Sequence, residues 1–500
     1  MVPFVFSHPP PNAQLRYLSG MHRRHFISMS AGVAAAAALG PRRLPAAPAA
    51  DRHPLWLPPE LRPDDMTLRA NRHLVKSGTG TNGMAMTLGD GAVGPTIRVR
   101  RGERARITLD NALDEETILH WHGLKVPEIA DGHPRLAVGT GGKYEYDFEV
   151  TDRAGTYWYH AHPHHRTGEQ VYRGMAGLFL VDDAEQDALG LPSGGREISL
   201  LIQDRRVDAA GEFAFNPVMH ERMEGFFGDV AFGNGTPNPQ HEVDGALYRL
   251  RVVNATASRI TRLALSTGAR MILIGTDGGL LGAPVSLRHI DLGTGERADL
   301  LVDFSEVPAG SSVMLISEEF PPPYRGMGMG MGRMMAGGTA QGARMDLVEF
   351  TVTRTVRERP YVLPTLPRLP RLDPAKASRT REFRFQSAAM RHTINGREWA
   401  MERVDEHVPF GSTEIWRFIN DSNFPHPVHM HEVQFQIISR NGGRNRIMPW
   451  EVGWKDTALL FPGETIDVIA EFNAHRGIFL MHCHNLIHED MGMMLNYVIE

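Results

Sequence analysis

The feature that most constrains this 500-residue chain is its single cysteine, Cys483, which stands between His482 and His484 near the C-terminus. One cysteine cannot form an intramolecular disulfide, so its role must be that of a thiol. The preceding run from Gly477 to Met481 is apolar and partly β-branched, which predicts a strand. Side chains alternate across a strand, so the two histidines should face one side and Cys483 the other. One tripeptide can therefore supply two different sites.

The residues that follow add an imidazole, His488, and a thioether, Met493. A thiolate, two imidazoles and a weak thioether form the ligand set of a blue-copper electron-transfer site, so one imidazole is still missing. It is available in residues 426–431, with the sequence H-P-V-H-M-H. The last two histidines of that segment share one strand face, whereas His426 has the opposite parity. His426 is therefore free to join Cys483.

Four pairs of histidines are spaced two residues apart, so each pair lies on one face of a strand. The pairs are His120 and His122, His160 and His162, His429 and His431, and His482 and His484. Neutral imidazole is a good ligand for copper, and eight imidazoles suffice for a three-copper cluster.

Taken in order, these motifs strongly resemble those of the multicopper oxidases: H-x-H-G, H-x-H, H-x-x-H-x-H and H-C-H-x-x-x-H-x-x-x-x-M. The resemblance covers about residues 55–500, and residues 158–162 and 482–490 are similar to the branch that contains laccases, spore-coat laccases and bilirubin oxidases. A lone H-x-H pair is usually a surface or core histidine, but that interpretation does not explain four motifs in the family order.

The resemblance implies four bound copper ions and assigns a ligand set to each kind. Type 1 copper would bind His426, Cys483 and His488 with Met493 as the axial ligand, and type 2 copper would bind His120 and His429. The type 3 pair would bind His122, His160 and His484 on one ion, and His162, His431 and His482 on the other. Asp131 and Glu489 match family positions associated with proton delivery. His164 and His165 are interpreted as outer or surface residues.

The activity that the resemblance implies is oxidation of a reducing donor by one electron at a time at type 1 copper. Four electrons then reduce dioxygen to water at the trinuclear cluster. The preferred hypothesis is a laccase-like enzyme acting on phenols, aromatic amines or bilirubin-like donors. An alternative is a periplasmic cuprous oxidase for copper tolerance, and a third hypothesis is a non-catalytic copper-binding scaffold.

Two departures from the family pattern disfavour the cuprous oxidase. Such members carry Asp and Met shortly before H-x-x-H-x-H, where this chain has Ser422 and Phe424. They also carry a methionine-rich insert in the third domain, whereas the methionines of residues 327–335 fall in the second and are more simply a Gly-rich surface loop. The scaffold hypothesis ranks third because all twelve ligand positions are present.

Short β-branched or alternating runs, broken by Gly, Pro and Asp, predict an all-β chain. The resemblance implies three consecutive cupredoxin-like Greek-key β-sandwich domains. We expect them at residues 51–185, 190–355 and 379–500, with a Pro-rich linker at 356–378. The second domain contains no H-x-H pair and is expected to be structural, holding the outer two domains in register. The first and third domains must meet around the histidine cluster.

Residues 1–50 contain five arginines and no acidic residue. Arg23 and Arg24, followed by a short apolar run and a candidate cleavage site at Ala47-Pro48-Ala49, predict a twin-arginine export signal. Met21, just before them, is a possible true start. We expect a soluble, monomeric protein, periplasmic or secreted. Without these residues, 48 basic side chains (53 minus 5) face 58 acidic ones, a net charge of −10 that disfavours nucleic-acid binding.

Overall fold

The computed structural model describes residues 51–321, 339–357, 361–363 and 365–500. The predicted export signal and the methionine-rich segment 327–335 lie outside the described residues. Across the described part of the chain, 32 strands form six sheets that pair into three successive sandwiches. The prediction of an all-β chain is confirmed.

The first sandwich carries the first two histidine pairs. Its strands are β2 (Glu60–Leu61), β3 (Met66–Lys76), β4 (Asn82–Leu88), β5 (Thr96–Arg100), β6 (Arg104–Asn111), β7 (Leu119–His122), β8 (Lys143–Glu149), β9 (Gly155–Ala161) and β10 (Ala176–Asp182). Helices α1 (Thr167–Arg173) and α2 (Ala184–Asp187) and two 3-10 turns, Glu128–Ala130 and Pro134–Leu136, complete it. The sheets have the orders β2-β5-β10-β9-β7 and β4-β3-β6-β8. The alternation along β6, with Ala105, Ile107 and Leu109 buried, supplies the core from one face of the strand.

The second sandwich has two larger sheets. Its strands are β11 (Glu197–Arg205), β12 (Val230–Gly233), β13 (Thr236–Pro237), β14 (Pro239–Gly245), β15 (Leu247–Asn254), β16 (Thr261–Leu265), β17 (Met271–Thr276), β18 (Gly279–Leu287), β19 (His289–Leu292), β20 (Arg297–Asp303), β21 (Ser312–Ser317) and β22 (Met345–Thr355), with helix α3 (Met219–Glu224) and the 3-10 turn Gly194–Arg196. One sheet has the order β13-β12-β11-β15-β20-β17-β18. The other is β1-β14-β22-β21-β16-β19, where β1 is His53–Pro54. Strand β1 lies within the predicted first domain but is hydrogen bonded to the second sandwich.

The third sandwich carries the remaining histidine motifs and the cysteine. Its strands are β23 (Arg379–Ala388), β24 (Arg391–Ile394), β25 (Val404–Val408), β26 (Ser412–Asn420), β27 (His426–Met430), β28 (Phe435–Asn441), β29 (Thr457–Leu460), β30 (Thr465–Phe472), β31 (Gly477–Cys483) and β32 (Met494–Ile499), with helix α4 (Leu486–Asp490) and the 3-10 turn Pro449–Glu451. The sheets are β24-β23-β26-β30-β28 and β25-β32-β31-β27-β29.

Helix α4 fastens the third sandwich to the first. The carboxylate of Asp490 accepts hydrogen bonds from the backbone amides of Thr167 and Gly168, both at 2.9 Å, and so caps the N-terminus of α1 from another domain. A second contact joins the same two sandwiches, since His133 Nε2 donates to the side-chain oxygen of Asn496 in β32 at 3.1 Å. The Asp490 contacts hold α4, which carries His488 and Glu489, against α1.

The described residues of the predicted linker pack against the second and third sandwiches and form a 3-10 turn at Pro374–Lys376. The Tyr361 hydroxyl donates to the Leu189 carbonyl, and Leu366 is buried in the core of the second sandwich. Further along, the Gln436 amide donates to the Pro370 carbonyl at 2.7 Å. Among the residues described, no helix has the length and apolar character needed to cross a membrane.

Because Leu366 is only 3% exposed whereas Val362 is 82% exposed, the two residues form a matched test of this anchoring. Leu366→Ala leaves a cavity and is expected to lower the free energy of unfolding by about 2–4 kcal/mol. Val362→Ala is expected to change it by less than about 0.5 kcal/mol. Urea unfolding of the two variants measures the difference, and equal effects would show that the linker does not anchor through Leu366.

Candidate metal centres

Strand pairing brings the histidine pairs together before any ligand is considered. In the first sandwich β7 and β9 place His120 directly opposite His160, and in the third β27 and β31 place His429 opposite His482. All eight histidines of the four pairs are buried. The first and third sandwiches therefore each contribute four buried imidazoles to one cluster.

The two halves interleave across the domain interface. The rings of His120 and His431 stack with centroids 3.6 Å apart, and those of His122 and His429 stack at 3.7 Å. Ring nitrogens also face each other, since His120 Nε2 lies 3.3 Å from His429 Nε2. The first and third sandwiches thus meet around the cluster.

The hydrogen bonds on the outer side of these rings determine which nitrogen carries the proton. His120 Nδ1 donates to the carbonyl of Asp131 at 2.7 Å, and His429 Nδ1 donates to the carbonyl of Asp456 at 2.9 Å. Burial lowers the pKa of His429 to about 3, so this ring is neutral. In the neutral His429 ring with Nδ1 protonated, the Nε2 atom is unprotonated and faces His120 Nε2. A metal ion is a suitable partner for such an inward-facing nitrogen.

A second facing pair has the same arrangement. His431 Nδ1 donates to the Asp131 carboxylate at 2.8 Å, and His482 Nδ1 lies 3.0 Å from the Glu489 carboxylate. Their Nε2 atoms are 3.1 Å apart. Burial holds the pKa of His431 well below its usual range. The Asp131 carboxylate is therefore a hydrogen-bond acceptor for His431, whereas the Glu489 carboxylate lies beside His482 with no hydrogen-bond partner among the described residues.

Among the described residues, several other nitrogens of the cluster have no hydrogen-bond partner. They are His122 Nδ1, His160 Nε2, His162 Nδ1 and both ring nitrogens of His484. A buried polar atom left unpaired destabilises a protein by about 1–3 kcal/mol, so several at one place indicate a ligand. Donor atoms within 4.8 Å of one another form four overlapping groups: His120, His122 and His160; His120, His429 and His431; His162, His431 and His482; and His122, His429 and Asp456. Imidazoles in this arrangement fit copper.

A separate centre lies inside the third sandwich. Cys483 Sγ is 3.4 Å from His426 Nδ1 and 3.7 Å from His488 Nδ1. His488 Nε2 donates to the carbonyl of Met223, which leaves its Nδ1 unprotonated in the neutral ring. Met493 is fully buried in the same hydrophobic core as the cysteine. The sequence-predicted Cys/His/His/Met residues thus converge, and burial raises the pKa of the Cys483 thiol, so a thiolate here requires a cation.

The two centres are joined through β31. Val428 pairs with Cys483 and His429 pairs with His482. The side chains of His482 and Cys483 therefore point to opposite faces of the strand, as predicted. Cys483 faces the core of the third sandwich, while its neighbours His482 and His484 face the cluster.

His164 and His165 stay outside both centres. His165 is exposed and its Nδ1 donates to the Asp490 carbonyl at 2.6 Å, and the His164 ring contacts Trp399. Neither belongs to a group of possible metal ligands in the described residues.

Asp456 lies at the cluster but was not predicted from the sequence. Its carboxylate lies 3.0 Å from His122 Nε2 and forms a two-pronged ion pair with Arg297, both N–O distances being 2.6 Å. Burial alone would raise the pKa of Asp456, but the Arg297 guanidinium outweighs burial and holds the pKa well below its usual range. The available signal was a pair of charges, Lys455 and Asp456, directly before the apolar strand β29.

Comparison with known proteins identifies the same family that the sequence motifs resemble. Family models described as multicopper oxidase match residues 70–186 and 365–500. The bilirubin oxidase of Albifimbria verrucaria is 32% identical over 425 residues, which cover 80% of this chain and 70% of that protein. The cell division protein FtsP of Sodalis glossinidius is 33% identical over 445 residues, 87% of this chain and 89% of that protein.

Among solved structures, the McoA multicopper oxidase of Aquifex aeolicus superposes with a TM-score of 0.80 at 31% identity, covering 90% of this chain and all of that one. The expected cupredoxin-like sandwiches are thereby confirmed. With this fold, these buried imidazoles and these relatives, the chain belongs to the multicopper oxidase family.

Proposed function

We propose that this chain is a laccase-like oxidase that couples one-electron oxidation of phenolic, aromatic amine or bilirubin-like donors to the four-electron reduction of dioxygen to water. Membership of the family implies a copper-dependent oxidoreductase that uses oxygen, and the donor class is our own inference. The proposal rests above all on the eight buried histidines of two sandwiches, whose ring nitrogens face one another at 3.3 Å between His120 and His429 and at 3.1 Å between His431 and His482.

Four copper ions are proposed, each with the ligands that the family pattern assigns. Type 1 copper would be held by His426, Cys483, His488 and Met493; type 2 by His120 and His429; the type 3 pair by His122, His160 and His484 for one ion and His162, His431 and His482 for the other. When bound, these ions would supply the one-electron oxidation of the donor and the reduction of dioxygen. Support comes from the donor atoms of ten of these twelve residues, which fall into close buried groups. The His484 ring contacts the rings of His122 and His160, and Met493 lies in the same core as Cys483.

Cys483 links the two centres covalently. Its backbone continues directly into His482 and His484, so only a few bonds separate the thiolate from two imidazoles of the cluster. Strand β31, which ends at Cys483 just before His484, is paired on both sides, with β27 and β32, and this keeps the path rigid. Electron transfer between the centres therefore needs no conformational change.

Asp131 and Glu489 orient imidazoles and hold protons close to the cluster. The Asp131 carboxylate accepts from His431, and its second oxygen has no hydrogen-bond partner. Glu489 is buried with its two oxygens 3.0 Å and 3.5 Å from His482 and His162. Reduction of dioxygen to water consumes protons, and a carboxyl group within hydrogen-bond reach can supply them.

The surroundings of the type 1 ligands support an organic donor. The outward nitrogen of His426 bonds to the Ser422 hydroxyl at 2.7 Å, and that of His488 bonds to the Met223 carbonyl at 3.0 Å. The two atoms bonded to these nitrogens are a hydroxyl and a backbone carbonyl oxygen, and neither is a carboxylate. An aromatic donor that transfers an electron without coordinating needs no carboxylate.

The alternative, a cuprous oxidase, has one observation in its favour. Helix α3 contains Met223, whose backbone carbonyl accepts the hydrogen bond from His488. One turn earlier the same helix carries Met219, which is 70% exposed. Thioethers are suitable ligands for Cu(I). A scaffold without catalysis is the third hypothesis, and the relative named as a cell division protein keeps it open to test.

The donor class is tested with the copper-loaded protein, a phenol, bilirubin and Cu(I). We expect the organic donors to be oxidised, and Met219→Leu with Met223→Leu to change the ratio of the Cu(I) rate to the phenol rate by less than about twofold, because an outer-sphere donor needs no soft ligand. Met84→Leu, in β4 of the first sandwich, is the matched control. A selective loss of the Cu(I) rate would favour the cuprous oxidase, and no oxygen uptake with any donor would favour the scaffold.

Cys483→Ser is expected to remove the intense blue absorption and the oxidase activity while the fold persists. Cys483 is the soft anionic ligand of the proposed type 1 site, and serine is nearly isosteric but far harder and less acidic. Visible absorption, oxygen uptake and circular dichroism of the copper-loaded variant measure the three properties. Retention of the blue band would contradict the assignment.

We also propose export by the twin-arginine machinery, which reads a pair of arginines as an address and passes folded cargo. Support comes from Arg23 and Arg24 and the short apolar run behind them. Arg23→Lys with Arg24→Lys is expected to leave the precursor in the cytoplasm, as cell fractionation measures. An unchanged yield of exported protein would show that this signal is not used.

A further inference from the structure

One buried histidine outside the sequence motifs lies against a proposed type 1 ligand. His392, in β24, is fully buried, and its ring stacks on the ring of His488 with centroids 4.0 Å apart and 24° between the ring planes. His392 belongs to none of the groups of possible metal ligands in the described residues. Its contact with His488 therefore has to be explained by something other than metal binding.

The hairpin formed by β23 and β24 sets the position of this ring. A two-residue turn joins the strands, and Ala389 and Met390 in it have φ values of +49° and +63°, the sign that a type I′ turn requires. Such a turn fixes the register, which here pairs His392 with Ser387. The Ser387 hydroxyl lies 2.7 Å from His392 Nδ1. The third sandwich therefore places His392 through its own strand pairing.

Helix α3 of the second sandwich holds the two stacked rings side by side. The Arg222 carbonyl accepts a hydrogen bond from His392 Nε2 at 2.9 Å. The next carbonyl along the chain, that of Met223, accepts one from His488 Nε2 at 3.0 Å. Two consecutive carbonyls thus bind two imidazoles that come from different elements of the third sandwich, β24 and α4.

The hydrogen bond and the stack restrain different motions of the His488 ring. Rotation of a histidine ring about its Cβ–Cγ bond has broad minima, so neighbouring groups must set the plane of the ring. A hydrogen bond at Nε2 fixes one atom, whereas a ring lying against the face fixes the plane. The rings of His426 and Phe424 meet His488 at 59° and 62°. Among the described residues, His392 is the ring that lies nearly parallel to it.

We propose that His392 is a positioning residue of the type 1 centre, whose stacked ring holds the plane of His488 so that Nδ1 faces Cys483 in one orientation. The inference rests on the proposed function and deepens it, because it adds to the centre a residue from outside the ligand motifs. Groups that contact a metal ligand from behind orient it and so influence how well the metal is bound.

The alternative role for His392 is only to fill the space between β24 and α3, and the same sheet offers a matched control. Phe383 in β23 is fully buried and packs on Trp416 with ring centroids 4.6 Å apart. Within the described residues its ring contacts are Trp416 and Phe418, and neither is a proposed ligand. Replacing either ring removes a buried aromatic side chain, but only His392 touches a ligand.

The test compares His392→Gln, Ser387→Ala and Phe383→Leu in the full-length protein loaded with copper. Glutamine keeps a hydrogen-bond donor and an acceptor but has no ring, whereas Ser387→Ala removes one hydrogen bond and keeps the ring. We expect His392→Gln to lower the copper affinity of the type 1 site about 10-fold in competition with a chelator and to broaden its electron paramagnetic resonance lines. Ser387→Ala is expected to leave both properties unchanged.

Phe383→Leu is expected to lower Tm and to leave the affinity and the line widths unchanged. Wild-type affinity and line widths in His392→Gln would overturn the proposal, because His392 would then contribute only to the fold. Changes in Ser387→Ala as large as those in His392→Gln would overturn it as well, because the hydrogen bonds rather than the ring would then hold His488.

A measurement on the metal-free protein keeps this inference separate from the copper assignment. An aromatic ring stacked on a neighbour shifts the proton resonances of that neighbour upfield, and carbon-13-labelled histidines make the His488 ring protons visible. We expect these resonances to move downfield in His392→Gln and to stay in place in Ser387→Ala. Unchanged resonances in His392→Gln would overturn the stacking even if the protein binds copper. The expected shifts without a blue band in the copper-loaded wild type would instead defeat the proposed type 1 centre and, with it, the role of His392 there.

Discussion

The constraint on which this molecule depends is that buried imidazoles from two sandwiches face one another through their ring nitrogens. His120 Nε2 lies 3.3 Å from His429 Nε2, and ring nitrogens of His160 and His484 have no hydrogen-bond partner among the described residues. Contacts inside the cluster do not by themselves determine the positions of these rings. The arrangement must be imposed from outside, by the strands and by the hydrogen bonds on the outer edges of the rings.

That external support is distributed over three sandwiches and consists largely of buried charge. Arg297 connects all three, and Asp490 of the third sandwich caps helix α1 of the first. Burying ions is unfavourable unless each is paired and hydrogen bonded. Such networks add little net stability, but they restrict the side chains to one arrangement. The facing imidazoles of the cluster require their positions to be fixed in this way. The hydrophobic cores of the sandwiches provide the stability, as the buried Leu366 of the linker illustrates.

The sequence predicts the parts of this design that are local. Spacing of two along a strand identifies the histidine pairs, and the alternation around Cys483 separates the thiol from its neighbours, because both follow from strand geometry alone. Asp456 and Arg297 were not predictable in this way, since 159 residues separate them and neither forms a motif with a histidine. The pairing of β1 with the second sandwich is equally non-local, because short strands carry no pattern that identifies their partner.

Placing two centres on one strand also divides the work among the sandwiches. The inward face of β31 belongs to the core of the third sandwich, so Cys483 finds His426, His488 and Met493 within its own domain. The outward face belongs to the interface, so His482 and His484 must be completed by the first sandwich. The second sandwich then contacts both centres from outside: Met223 accepts a hydrogen bond from His488, and Arg297 fixes the partner of His122. A domain without proposed ligands therefore sets outer hydrogen bonds at both centres, through a helix residue, Met223, and a strand residue, Arg297.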